Sequence, residues 1–362
     1  MTNLLLPAGQ VMLDESPAVP SADDATIGAL DGAVVLEHRI TVGRGPIGDI
    51  AVNSAATDSL VVASVGDQSV TIIDPATPLP GVSVPLTGEP LAVIVTADRA
   101  YIATGSDSHD TVSGIDLTSG DVVTSIPLTF GVTALAASPD GKRVYAGRTS
   151  HGQVDITVID TASERTGTID IGYGPAVSLD ALCVDPNGKR LYAAVTDASG
   201  SRLVIVDSDT LRVQRVVAVG SPIRDIAYAG ATVYVLTSDR TVGGAVHVID
   251  LSTNTVTDTV TIGGAPTQLT MSPEHDRAYI VDYDRVAVLC TLSMEVVDSL
   301  SFDARPSCVA LDSDGAQLYV ADYAGTVHTF SVESTIEMLY SQLLATDPIA
   351  LSVPPALEPV TA

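Results

Sequence analysis

Carboxylates and amides at the borders of apolar runs are the residues of this sequence with the most chemistry to offer. Asp49, Asp225 and Gln268 open the runs DIAVN, DIAYA and QLTMS, with Asp180 and Arg224 at neighbouring places. Oxygens of this kind can hold a hard divalent cation, and a held cation can polarise a carbonyl and activate water. His109 and His151 lie in equivalent polar segments, near Asp107, Asp110 and Asp155. Two imidazoles with carboxylates make a zinc-type donor set if the distances close. Asp282 and Asp322 end the runs RAYIVD and QLYVAD and complete the set of candidate binding residues. Asp74, Asp116, Asp160, Asp207 and Asp250 look catalytic one at a time. Each ends a run such as TVSGID or AVHVID at the same place, however. Recurrence marks them as turn-starting acceptors for backbone N–H groups two residues on.

Other chemistries find no support. There is no GxSxG, and Cys183, Cys290 and Cys308 sit in apolar runs without a CxxC motif. They are expected as buried, reduced thiols. The Gly-rich pieces VGRGPIG (Val42–Gly48) and VGGA (Val242–Ala245) lead into strands, so they are turns and not phosphate cradles.

The elements that must position these residues come from a unit repeated seven times. Its anchor is an apolar run centred on Tyr101, Tyr145, Tyr192, Tyr234, Tyr279 and Tyr319, with Val61 in the first unit, at spacings of about 40 to 47 residues. That is the period of a four-stranded propeller blade. Each unit holds an apolar run after a Gly/Pro turn, the anchor run, a run ending in Asp, and an alternating outer run such as TVTDTVTIG. Short runs rich in Val, Ile and Thr between Gly, Pro and Asp read as antiparallel strands. SPDG, DPNG and DSDG supply tight turns between the first two strands. The last unit has only three strands, and Ala33–Gly43 matches the missing outer strand. The reading is an all-β, seven-bladed β-propeller of four-stranded antiparallel blades over 33–332, closed by an N-terminal strand at 33–43. Residues 1–32 are expected to be loosely ordered. Residues 333–362 are expected to form a short amphipathic helix over about 334–346 and a Pro-rich tail.

ASPDGKRVYAG (Ala137–Gly147), VDPNGKRLYAA (Val184–Ala194), SDGAQLYVAD (Ser313–Asp322) and the recurring VID resemble the YVTN-repeat, YncE-like seven-bladed propellers. The resemblance implies the same fold. The family's Asn place holds Ser64, Thr104, Arg148, Val195, Thr237, Asp282 and Asp322 here, so any ligand role of that Asn is not carried over. Relatives of similar outline include metal-dependent sugar-lactone hydrolases, a periplasmic DNA-binding member and surface-layer proteins.

Charge narrows the choice. Among 362 residues, 44 acids face 17 Lys and Arg, a net charge of −27, and Lys142 and Lys189 are the only lysines. Such a field repels nucleic acid and anionic membranes and favours basic partners or cations. No run is long and apolar enough to span a bilayer, and the N-terminus has no basic region ahead of an apolar one. A monomeric, cytoplasmic protein is expected. The function expected is a noncatalytic scaffold binding a protein partner or small ligand through its acidic loop face, with no cofactor. The alternatives are a weakly held divalent cation, a metal-dependent hydrolase of the lactonase type, and a cell-envelope or secreted interaction protein.

Overall fold

A computed structural model describes residues 34–332 except 54–58, 78, 80, 107–108 and 130. Within it, seven four-stranded antiparallel sheets stand around an axis. Blades 1 to 6 are the consecutive strands of Ile47–Pro85, Glu89–Leu128, Gly131–Tyr173, Ser178–Gly220, Ile223–Thr261 and Gln268–Ser301. Blade 7 joins the three strands of Pro306–Val332 to Val34–Thr41. The closing register runs from Val34 opposite Val332 to Thr41 opposite Thr326. The expected closure therefore holds, and blade 7 gains an outer strand that covers its free edge. The expected C-terminal helix and the N-terminal segment lie outside the described residues.

The anchor tyrosines explain how sheets so poor in large aromatics pack. Tyr101, Tyr145, Tyr192 and Tyr279 are almost wholly buried. Each packs with apolar residues of a neighbouring blade, as Tyr192 does with Ile223 and Ile226. Radial stacking covers both faces of a blade, which is why the inner strands can run nearly continuously apolar. The turns are those the sequence predicts. Gly141, Gly188 and Gly315 take positive φ at the ends of SPDG, DPNG and DSDG. The Asp116 carboxylate accepts N–H bonds from Thr118 and Ser119 at 2.9 Å each. Asp160, Asp207 and Asp250 repeat the pattern. All three cysteines are free; Cys308 is buried as expected, whereas Cys183 and Cys290 are only half-buried.

Candidate functional site

Near the start of six inner strands the pairing register slips by one residue, between Ile47/Asp49, Pro90/Ala92, Val132/Ala134, Leu179/Ala181, Ile223/Asp225 and Pro306/Cys308. A bulge leaves one residue unpaired and re-aims its neighbours. The residues at and after these slips, with Thr267 and Gln268 from blade 6, wall a single central cavity of about 310 Å³. The sequence candidates Asp49, Asp225, Gln268, Asp180 and Arg224 all stand in this wall.

These polar groups also hold the ring together. Asp49 Oδ2 accepts the Val93 N–H of blade 2 at 2.8 Å, and Oδ1 accepts the Ile50 N–H at 2.9 Å. Asp225 does the same at blade 6, taking the Leu269 and Ile226 N–H groups at 2.8 Å each. Gln268 Oε1 accepts the Val309 N–H of blade 7 at 2.7 Å. Thr133 Oγ1 donates to the Leu179 carbonyl of blade 4 at 2.6 Å, and Asp110 accepts the Val132 N–H of blade 3 at 2.7 Å. Asp180 stays within its own blade, accepting from Ser178 Oγ at 2.8 Å and Thr196 Oγ1 at 2.5 Å. Arg224 is exposed at the rim.

Burial dominates the electrostatics of this wall. It pushes Asp49 up to about 6, against the lowering effect of hydrogen bonds from Val93, Ile50 and the Gln268 side chain. It pushes Asp225 up to about 7, and the charge of Asp49 adds to the rise. Blades 1 and 5 are not neighbours, yet both carboxylates stand in the wall of the one cavity. The cavity thus carries two carboxyl groups that change charge near neutrality. The same burial raises the Cys183 and Cys308 thiols, with Asp225 next in importance for Cys183 and Asp49 for Cys308. Neither is a poised nucleophile.

The remaining candidates do not join them. His109 and His151 are exposed. The His109 backbone is bonded to the Ser106 hydroxyl. Among the described residues, no three or more His, Cys, Asp or Glu side chains are grouped to hold a metal ion. Asp107 lies outside the described residues. Asp282 and Asp322 are buried, at 4% and 2% exposure, so they are not contact residues of an open loop face. Asp282 accepts the Ala265 and Tyr283 N–H groups and pairs with Arg285 at 3.3 Å. Its oxygens pack where a side chain at residue 264 would stand, which Gly264 alone permits at φ +59. Asp322 accepts the Ala324 and Thr326 N–H groups and meets His328 Nε2 at 3.0 Å. An Arg three residues downstream of Asp282 and a His six residues downstream of Asp322 were the sequence signal for this inward use.

Sequence reasoning also missed the Asp110 and Thr133 ties, because a strand pattern does not say which blades touch. It missed Arg305 as well, whose guanidinium carbon lies over the Tyr283 and Tyr323 rings. The repeated Asp-Tyr of VDYD and ADYA in consecutive units was the available clue.

No protein-family model matches the chain. It is 46% identical over 366 residues to a seven-bladed beta-propeller protein of Mycolicibacterium smegmatis, covering 99% of both chains. It is 34% identical over 346 residues to the seven-bladed beta-propeller protein Rv1057 of Mycobacterium tuberculosis, covering 85% of this chain and 87% of that one. Among solved structures, a chain of Kuenenia stuttgartiensis hydrazine synthase superposes with a TM-score of 0.71 at 20% identity, over 82% of this chain and 98% of that one. At that identity the likeness concerns the fold alone. Among the described residues no helix is long and apolar enough to cross a membrane.

Proposed function

The chain belongs to the seven-bladed β-propeller proteins, and from that premise we propose that it is a noncatalytic scaffold of the YVTN-repeat, YncE-like type. In this reading it binds a protein partner or a small ligand through the acidic loop face around its central cavity. One observation carries the reading: the polar groups of the cavity wall are held in place by bonds between blades. Asp49, Asp225 and Gln268 each accept a backbone N–H from the following blade. A wall so fixed is a preformed receptor, with little ordering left to oppose binding. The same bonds leave these oxygens poorly free to act as general bases. The charge of −27 favours a basic or neutral occupant. A cytoplasmic monomer without a resident cofactor fits this role.

Two variants test the proposal. Ser307→Tyr narrows the cavity from the blade 7 wall, and Arg224→Glu changes its rim. Captured proteins are compared by quantitative mass spectrometry, and small ligands by native mass spectrometry, with matched Tm values as the folding control. The expected result is one partner or ligand held by the intact chain and lost by both variants. Identical sets from all three proteins would remove the cavity from consideration. A stoichiometric divalent metal whose removal abolishes lactone hydrolysis would replace the scaffold with a hydrolase.

A further inference from the structure

At the junction of blades 6 and 7, on the loop face, three residues from separate loops stack. The Arg305 guanidinium carbon lies 4.6 Å from the Tyr283 ring centroid and 4.8 Å from that of Tyr323. The Tyr323 N–H donates to the Arg305 carbonyl at 2.9 Å, which fixes two of the loops to each other. Tyr283 and Tyr323 nevertheless stay 60% and 45% exposed. An exposed Arg ordinarily samples many rotamers, and two rings under one guanidinium remove much of that freedom in advance.

The charge of Arg305 is also left over. Among the described residues it makes no ion pair or side-chain hydrogen bond, although the nearby loops are rich in acid. Asp303 turns to Arg39 at 3.8 Å, Asp282 to Arg285 and Asp322 to His328. Held against the two rings and without a hydrogen-bond partner among the described residues, the guanidinium keeps N–H groups for solvent or a ligand. Those groups are a donor fork matching a carboxylate. The exposed rings beside it offer apolar surface to whatever carries the carboxylate, and Tyr and Arg are the residue types that dominate binding hot spots. The negative field of the whole chain favours a ligand with one negative charge over one with two.

We infer that Tyr283, Arg305 and Tyr323 form a binding site for a single carboxylate borne next to an aromatic or apolar group. A peptide C-terminus and an acidic side chain share that chemistry. The site goes beyond the cavity reading above, and its test does not depend on the cavity being occupied.

The probes are N-acetylphenylalanine, its amide, and N-acetyl-glutamyl-phenylalanine amide, each titrated into the full chain and followed by the Arg305 Nε–H resonance and by calorimetry. The free acid should bind saturably and its amide at least about tenfold more weakly, since a charge-assisted pair is worth more than one decade. Binding of the glutamyl probe at equal strength assigns the site to any such carboxylate, and weaker binding assigns it to a C-terminus. Arg305→Lys, which keeps the charge without the fork, and Tyr283→Leu/Tyr323→Leu should each weaken the acid about tenfold, while Tyr173→Ala, an exposed tyrosine of blade 3, should not. Equal binding of acid and amide, no saturation, or an unaffected Arg305→Lys variant would overturn the proposal. Thermal unfolding of each variant separates lost binding from lost structure.

Discussion

Asp225 in the channel wall and Asp250 in an outer turn do the same job with opposite electrostatic outcomes. Each carboxylate accepts two backbone N–H groups at 2.7–2.9 Å. Burial lifts Asp225 to about 7. Asp250, open to water, is lowered to about 2 by hydrogen bonds from Ser252 and Thr253. Equal numbers of backbone hydrogen bonds therefore do not fix the charge state of a propeller aspartate, and Asp250 accepts the Ser252 and Thr253 hydroxyls as well. Desolvation without a counter-charge decides it. The outer aspartates set local turns, whereas the inner ones join blades and carry a protonation change into the centre of the molecule.

The sharpest way to break this comparison is an acid that is buried but has a cation. Arg148 holds Asp155 through two bonds of 2.7 and 2.9 Å in the interior of blade 3. Asp155→Ala should cost about 3–5 kcal/mol, because it removes the counter-charge from a buried guanidinium. Urea unfolding measures it, and a loss below that of Asp225→Ala would show that counter-charge matters less than desolvation.

Asp225→Ala comes next, with an expected loss of about 1–3 kcal/mol for two N–H groups deprived of their acceptor. The loss should be smaller at pH 8 than at pH 5, since at the higher pH the intact chain also bears the ionised, desolvated carboxylate. Asp250→Ala should show a smaller Tm decrease that is the same at both values.

The whole chain should follow the two classes in sequence. Asp49 and Asp225 bind protons more tightly folded, at about 6 and about 7, than at their ordinary 3.8. Their stabilisation is complete below the ordinary value and lost as pH rises through 6 and 7. Asp140, Asp197 and Asp250, lowered to about 2, contribute stability above 3.8 that disappears as pH falls through 2. Tm should climb as pH drops from about 8 to about 5 and fall again below about 3. A Tm that falls steadily from neutral pH would contradict the raised inner pair.

The smallest effect belongs to the outer turns alone. Glu164 holds a φ of 58, four residues after Asp160, where the equivalent residue of blade 2 is Gly120 at 75. Glu164→Gly should stabilise by about 0.5 kcal/mol, as a left-handed backbone suits glycine. Thermal denaturation checks the sign, and no gain would mean that the turn, once capped by Asp160, tolerates a side chain without strain.

Much of the molecule was legible before any coordinates. The anchor tyrosines, the turn aspartates and the match of residues 33–43 to an outer strand gave seven blades and their closure, because each depends on a local pattern of alternation and turn chemistry. The candidate site was legible in part. Asp49, Asp225 and Gln268 were identifiable at the openings of their apolar runs, with Asp180 and Arg224 nearby, and all five stand in the wall of the central cavity. Asp282 and Asp322 read as loop acids and turned out to be buried supports, since a strand-end position does not reveal which way the carboxylate turns.

Sequence alone determined the repeat, its strands and the acidic field, all properties of neighbours along the chain or of composition. Only the closed ring decided that Asp49 reaches Val93, that the charge of Asp49 raises Asp225 on a blade that is not its neighbour, and that Arg305 settles against rings from two loops. Those facts depend on distances set by wedging seven sheets about one axis, and on how much water that wedging removes from each carboxylate.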